Sequence, residues 1–106
     1  MSAKYLHIGI PVTNKRPGMT YVDALKLWMS DPEDHDYKIE YLKFEEGTPF
    51  PEVMHKHSHI AYQVDDATPY LAEADQVIFG PVDNDDGTRM AFIVKDDTII
   101  ELIEKK

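Results

Sequence analysis

The strongest constraint on this chain is an echo inside it. His7-Ile8-Gly9-Ile10-Pro11-Val12 and His59-Ile60-Ala61-Tyr62-Gln63-Val64 share a histidine, an isoleucine, a small residue, a bulky residue, a variable position and a valine. Ile39-Glu40-Tyr41-Leu42 and Ile100-Glu101-Leu102-Ile103 each set a carboxylate inside an apolar run. The order His…Glu…His…Glu reads as two diverged copies of one supersecondary unit. At 106 residues the copies fit a single domain, residues 1–106, with one modest core. Residues 1–50 form a shortened first module and residues 57–106 a complete second one.

Alternation and punctuation outline the elements. Lys4–Val12 reads as a strand with Ile8, Ile10 and Val12 on one face and His7, Gly9 and Pro11 on the other. Thr13–Met19 contains Pro17-Gly18 and is a loop. Thr20 suits a helix N-cap, and Tyr21, Ala24, Leu25, Trp28 and Met29 fall at helical spacing, which predicts an amphipathic helix. Ser30–Asp36 is a polar connection, Tyr37–Glu46 a strand, and Gly47–Lys56 a crossing loop with two prolines. In the second half His57–Val64 is a strand, and Thr68-Pro69 opens a short helix through Ala74. Gln76–Val82 is the next strand, Asn84–Gly87 a turn, and Thr88–Lys95 and Thr98–Glu104 a hairpin across Asp96-Asp97. The second module is thus β-α-β-β-β. His7 and Glu40 are 33 positions apart and His59 and Glu101 are 42 apart, a deficit of 9. That is about one strand and a turn, so the first module is expected to lack a strand.

Charge and composition narrow the function. A net charge of −9, with no cluster among the 11 Lys and Arg, argues against a nucleic-acid partner. There is no apolar run long enough to span a membrane, and the strand pattern starts too early for a signal peptide. With no cysteine there is neither a disulfide framework nor a thiolate. These features fit a cytoplasmic protein.

The chemistry lies in the repeated positions. If the copies pack about a pseudo-twofold axis, His7 faces His59 and Glu40 faces Glu101. A strand carboxylate flanked by apolar residues on its own face, as Glu101 is by Ile99 and Ile103, is costly unless paired or bound to metal. One strand histidine is most often structural, but four residues in symmetric register are hard to ascribe to chance. Imidazole and carboxylate together suit zinc, nickel, manganese, cobalt or iron, with positions left for water or substrate. The further histidines of His55-Lys56-His57 precede the echo and read as loop residues.

The run Ala91-Phe92-Ile93-Val94-Lys95-Asp96-Asp97, then Ile99-Ile100-Glu101-Leu102-Ile103-Glu104, resembles the end of bacterial glyoxalase I. His59-Ile60-Ala61-Tyr62-Gln63-Val64-Asp65-Asp66 resembles the opening of the second module in the vicinal oxygen chelate superfamily, which includes glyoxalase I, methylmalonyl-CoA epimerase, fosfomycin-resistance proteins and extradiol dioxygenases. The resemblance covers the second half fully; in the first it covers the His7 strand, the helix and the Glu40 strand. It implies an α+β fold of two βαβββ-type modules, the first shortened, forming a curved mixed sheet around a cleft. It also implies a divalent metal ion held by His7, Glu40, His59 and Glu101.

What the resemblance implies for chemistry is a Lewis-acid ion that binds two substrate oxygens, with a carboxylate moving a proton next to a carbonyl. Glu101 and Glu40 are the candidate bases, and symmetry does not choose between them. Gln63 and Phe44 have the parity to line the same cleft, and Arg89 is either the best nearby cation for an anionic substrate or an exposed surface residue. The leading expectation is a metal-dependent glyoxalase-like lyase or isomerase acting on a small carbonyl or carboxylate. A fosfomycin-resistance-like enzyme, an Fe(II) dioxygenase and a metal-free binding protein of the same fold remain open. Many members of the superfamily dimerise, and a homodimer is expected here.

Overall fold

The protein is described by a computed structural model covering residues 2–105. Eight strands form one mixed sheet in the order β2-β3-β4-β1-β5-β8-β7-β6. They are β1 (Ala3–Pro11), β2 (Thr20–Val22), β3 (Leu27–Met29), β4 (Ile39–Phe44), β5 (His59–Val64), β6 (Gln76–Asp83), β7 (Thr88–Lys95) and β8 (Thr98–Lys105). Two short helices, α1 (Glu52–Lys56) and α2 (Thr68–Glu73), and a 3-10 turn at Pro32–Asp34 complete the described residues. Two compact units divide the chain: His7–Ser58, and the residues through Leu6 together with those from His59 onward.

In the unit His7–Ser58, β1 pairs with β4 in parallel, and β2, β3 and β4 follow as antiparallel neighbours. Here the sequence expectation is corrected. The segment predicted as a helix from Thr20 is a hairpin, with Tyr21 opposite Trp28 and their rings 5.1 Å apart. The helical stripe left out Leu27, yet Leu27 is the residue of this segment that is fully buried, while Ala24 on that stripe is exposed. A left-handed Lys26 (φ 50) closes the turn, its N–H bonded to the Asp23 carbonyl. The missing length is therefore not a strand. What lies between β1 and β2 is the loop 12–19, where the other unit has a helix after its first strand.

One face of this sheet carries Gly9 and Glu40 as register partners, then Pro11, Leu42 and Met29, then Phe44 and Leu27. α1, in the stretch read as a loop, lies at the Phe44 end with Met54 buried. Pro51 precedes it, Glu52 opens it and His55-Lys56 close it, an order that suits the helix dipole. The other face presents Ile8, Ile10, Ile39, Tyr41 and Trp28, all half-buried. Among the described residues of this unit no helix covers it; the loop lays Lys15 Nζ 4.1 Å from the Trp28 ring centroid and Arg16 4.0 Å from that of Tyr41.

The second unit keeps the β-α-β-β-β order expected of it. β5 and β8 are parallel, and β6, β7 and β8 are antiparallel. Asp96 and Asp97 both take positive φ (51 and 63), as a two-residue hairpin requires. α2 covers one face, closing a core of Val64, Ala67, Ile93 and Leu102 with Tyr70, Leu71 and Ile100 against it. Ala67, not Thr68, is its N-cap, and Glu104 Oε2 accepts the Ala67 N–H at 2.7 Å. The opposite face holds His59, Ala61, Ile99, Glu101, Met90 and Phe92, all buried. Both sheet edges are blunted: β2 has three residues, and β6 carries Pro81 and two register shifts.

Candidate metal centre

The echo in the sequence reappears as equal register in two parallel strand pairs. In β1–β4, Ile8 pairs with Ile39 and Gly9 with Glu40, so Glu40 lies one step diagonally from His7. In β5–β8, His59 pairs with Ile99 and Ala61 with Glu101, the same diagonal. Each glutamate stands opposite a residue with almost no side chain, which leaves room for its carboxylate to lean toward the histidine. His7 Nε2 is 3.5 Å from Glu40 Oε1, and His59 Nε2 is 3.2 Å from Glu101 Oε1.

All four residues are buried, His59 to 2% exposure. Groups of this polarity are rare in a protein interior without a specific purpose. His59 is further fixed by the Phe92 ring, which meets it edge to face at 5.1 Å, and Phe79 continues the stack at 6.1 Å from Phe92. Phe92 is also the β7 register partner of Glu101, so the carboxylate sits between Ala61 and an aromatic ring.

His7, Glu40 and His59 can hold a metal ion: each offers a ligand atom, and the three atoms lie within 4.8 Å of one another. With metal–ligand bonds of about 2.0–2.2 Å, adjacent ligand atoms sit roughly 3.0–3.5 Å apart; the His7–Glu40 pair, at 3.5 Å, falls at that value, and His59 completes the group within 4.8 Å. Glu101 stands outside this group of three but touches its His59.

The other residues singled out in the sequence divide. Gln63 is half-buried on the His59–Ala61 face of β5, opposite Ile103. Phe44 shares the Glu40 face of β4. Arg89 is not brought to the histidines and glutamates: it lies on the face of β7 opposite Phe92, exposed, with Nε 3.2 Å from Asp83 Oδ1. Reasoning from sequence missed two aromatic supports. Phe92 could have been found by counting parity back from the Asp96-Asp97 turn to Glu101. His55, read as a loop residue, stacks on Phe44 at 4.3 Å and 12°.

No family model matches the chain, and no curated protein matches it. Among solved structures it is similar to a hypothetical protein from Bacillus halodurans C-125. That likeness has 26% sequence identity and a TM-score of 0.69, and covers 100% of this chain and 96% of the other. It extends over the whole small β-rich fold and brings no activity with it.

Proposed function

We propose that this protein is a divalent-metal-dependent, glyoxalase-like lyase or isomerase of the vicinal oxygen chelate superfamily, acting by proton transfer on a small carbonyl or carboxylate substrate. The observation that carries the reading is the group of two buried imidazoles and one buried carboxylate with ligand atoms within 4.8 Å. The matching registers of Glu40 and Glu101 support it, because they repeat one donor pair on two strand pairs.

In this reading His7, His59 and Glu40 would hold the ion, which when bound would supply Lewis-acid polarisation of a substrate carbonyl. Glu101 is then the better proton carrier of the two glutamates, since it lies outside the three-ligand group and in contact with His59. Its carboxylate takes the proton α to the carbonyl and returns it to the neighbouring carbon, so nothing is gained or lost overall. Phe92 and Ala61 on either side restrict water around that carboxylate and hold its direction. Gln63, on the same face two residues beyond Ala61, is placed to bind a substrate oxygen.

Two imidazoles and one carboxylate are also the donor set of non-haem iron(II) oxygenases, so an oxygenase is the second reading. Elemental analysis tests both. Tag-free wild type and His59→Ala would be dialysed against a weak chelator and assayed for metal. Near-stoichiometric zinc, nickel, cobalt or manganese, lost in the variant, is the expected result. Iron would select the oxygenase. No metal, and none gained on adding these ions, would replace both readings with a metal-free binding protein.

A further inference from the structure

We infer that the start of the loop after β1 is an anion site that takes a phosphate group, free or at the end of a small organic ester. It does not rest on the metal reading and shares no residue with that centre. Pro11, Val12, Thr13, Asn14, Lys15 and Arg16 line a concave opening of about 450 Å3. That size is within the range of small-molecule sites, roughly 300–1,000 Å3. Two of the six residues are cations, two carry a hydroxyl or a carboxamide, and none is a carboxylate. In a chain with 20 Asp and Glu against 11 Lys and Arg, this lining concentrates what positive charge there is.

Both cations keep their donors for a ligand. Arg16 Cζ lies 4.0 Å from the Tyr41 ring centroid, and Lys15 Nζ lies 4.1 Å from that of Trp28. A ring steadies a cation without consuming its N–H groups, so the guanidinium still offers the planar fork that meets a phosphate through two bonds. The ring contacts also order the two long side chains beforehand, which lowers the cost of binding. Nor does a carboxylate neutralise either one. Arg16 borders a neighbouring cleft with Asp31 and Asp34, yet among the described residues it forms no ion pair with them. Lys15 does act on Glu45, but that carboxyl is held below its usual range first by Lys43, whose Nζ is 2.6 Å away, and least by Lys15. The backbone N–H groups of Thr13, Asn14 and Lys15 make no hydrogen bond among the described residues, which leaves further donors on the same loop.

The test titrates wild type with sodium phosphate and with phenyl phosphate, at ionic strength matched by sodium chloride, and follows the amide 1H–15N spectrum. Both anions should give saturable shifts at residues 12–16, and chloride should give none. Arg16→Gln should weaken phosphate binding by about tenfold or more. Arg16→Lys, which keeps the charge and loses the fork, should fall between. Tighter binding of phenyl phosphate assigns the rest of the opening to the organic part, whereas equal binding assigns the site to the free anion. No saturable shift at residues 12–16 with phosphate at tens of millimolar overturns the inference. So do shifts that chloride reproduces, or an Arg16→Gln protein that binds as well as wild type. Shifts centred on His7, Glu40 and His59 would put the anion on the metal centre and overturn it too. The wild-type spectra decide even if a variant fails to fold.

Discussion

Ala61 and Glu101 are register partners across β5 and β8, and this pairing is what lets Glu101 reach His59. Ala61 is fully buried, with Glu101 on one side of it and the rest of a packed face around it. Gly9 and Glu40 repeat the arrangement across β1 and β4. The small residue in the motif His-Ile-small is thus tied to the glutamate that follows tens of residues later.

Ala61→Val is the direct check. Two added methyls in a site with no free surface should cost about 1–3 kcal/mol of stability by overpacking. They should also push the Glu101 carboxylate off its line to His59. Urea denaturation would read the first effect, and metal content per folded chain the second. A variant as stable as wild type and equally metal-loaded would remove the claim that the small residue makes room for the carboxylate.

Metal should stabilise the fold, since a site made of residues from β1, β4 and β5 exists only in the folded chain. At zinc one hundred times above the dissociation constant the gain is about 2.7 kcal/mol. His7→Ala and His59→Ala should each abolish it. A melting temperature that does not move with zinc in wild type, or that moves equally in both variants, would contradict the site.

How much of this could be read beforehand varies along the chain for physical reasons. From His59 onward, strands alternate with period two and turns are marked locally, by Asn84–Gly87 and by Asp96-Asp97, so elements and parity both follow. Between Thr20 and Met29 the two arms of a hairpin happen to space Tyr21, Trp28 and Met29 as a helix would. Cross-strand pairing with β4, a non-local contact, decides in favour of strands by burying Leu27. α1 is a single five-residue turn between prolines and histidines, too short for any periodicity to announce. The burial of the four His and Glu positions was legible because they repeat. Arg89 is exposed because it stands three positions from Phe92 on β7, an odd offset that puts the two on opposite faces of the strand.

The loop that stands where the other unit has a helix should contribute measurably. Lys15 and Arg16 sit over Trp28 and Tyr41, each contact being worth about 0.5–1 kcal/mol at an exposed site. The double variant Lys15→Ala, Arg16→Ala should therefore lose on the order of 1–2 kcal/mol. Trp28 is the chain's single tryptophan, so its fluorescence in a urea titration reports the loss directly. An unchanged midpoint would mean that the loop cations are ornament.

We propose that the protein pairs with a second copy, and that it does so through a face and not an edge. The edges are short or interrupted by Pro81 and register shifts. The face of Ile8, Ile10, Ile39 and Tyr41 has only a loop over it, and Tyr37 nearby is 77% exposed. Light scattering at micromolar concentration should give twice the 12.2 kDa chain mass. A monomeric mass would rule the pairing out.

Acid should weaken the fold through two aspartates that hold the ends of local structure. The Thr68 backbone N–H, 2.9 Å from Asp66 Oδ1, and then the Thr68 hydroxyl hold the Asp66 carboxyl below the usual carboxylate range. For Asp86 the Thr88 hydroxyl comes first, at 2.6 Å, and the Thr88 N–H second. Both groups titrate lower in the folded chain than in the unfolded one. Their stabilisation is therefore fully present above the unfolded value of about 3.9 and is lost as pH falls through the folded value. Both side chains are solvent-exposed, so the effect on stability is small, but the titration itself is visible in the carboxyl 13C shifts. Thr88→Val deletes the larger contributor at Asp86. Its midpoint should then rise toward the ordinary value while that of Asp66, held by a different threonine, stays where it was. If both midpoints rise together, global loosening and not the Thr88 hydroxyl is the cause.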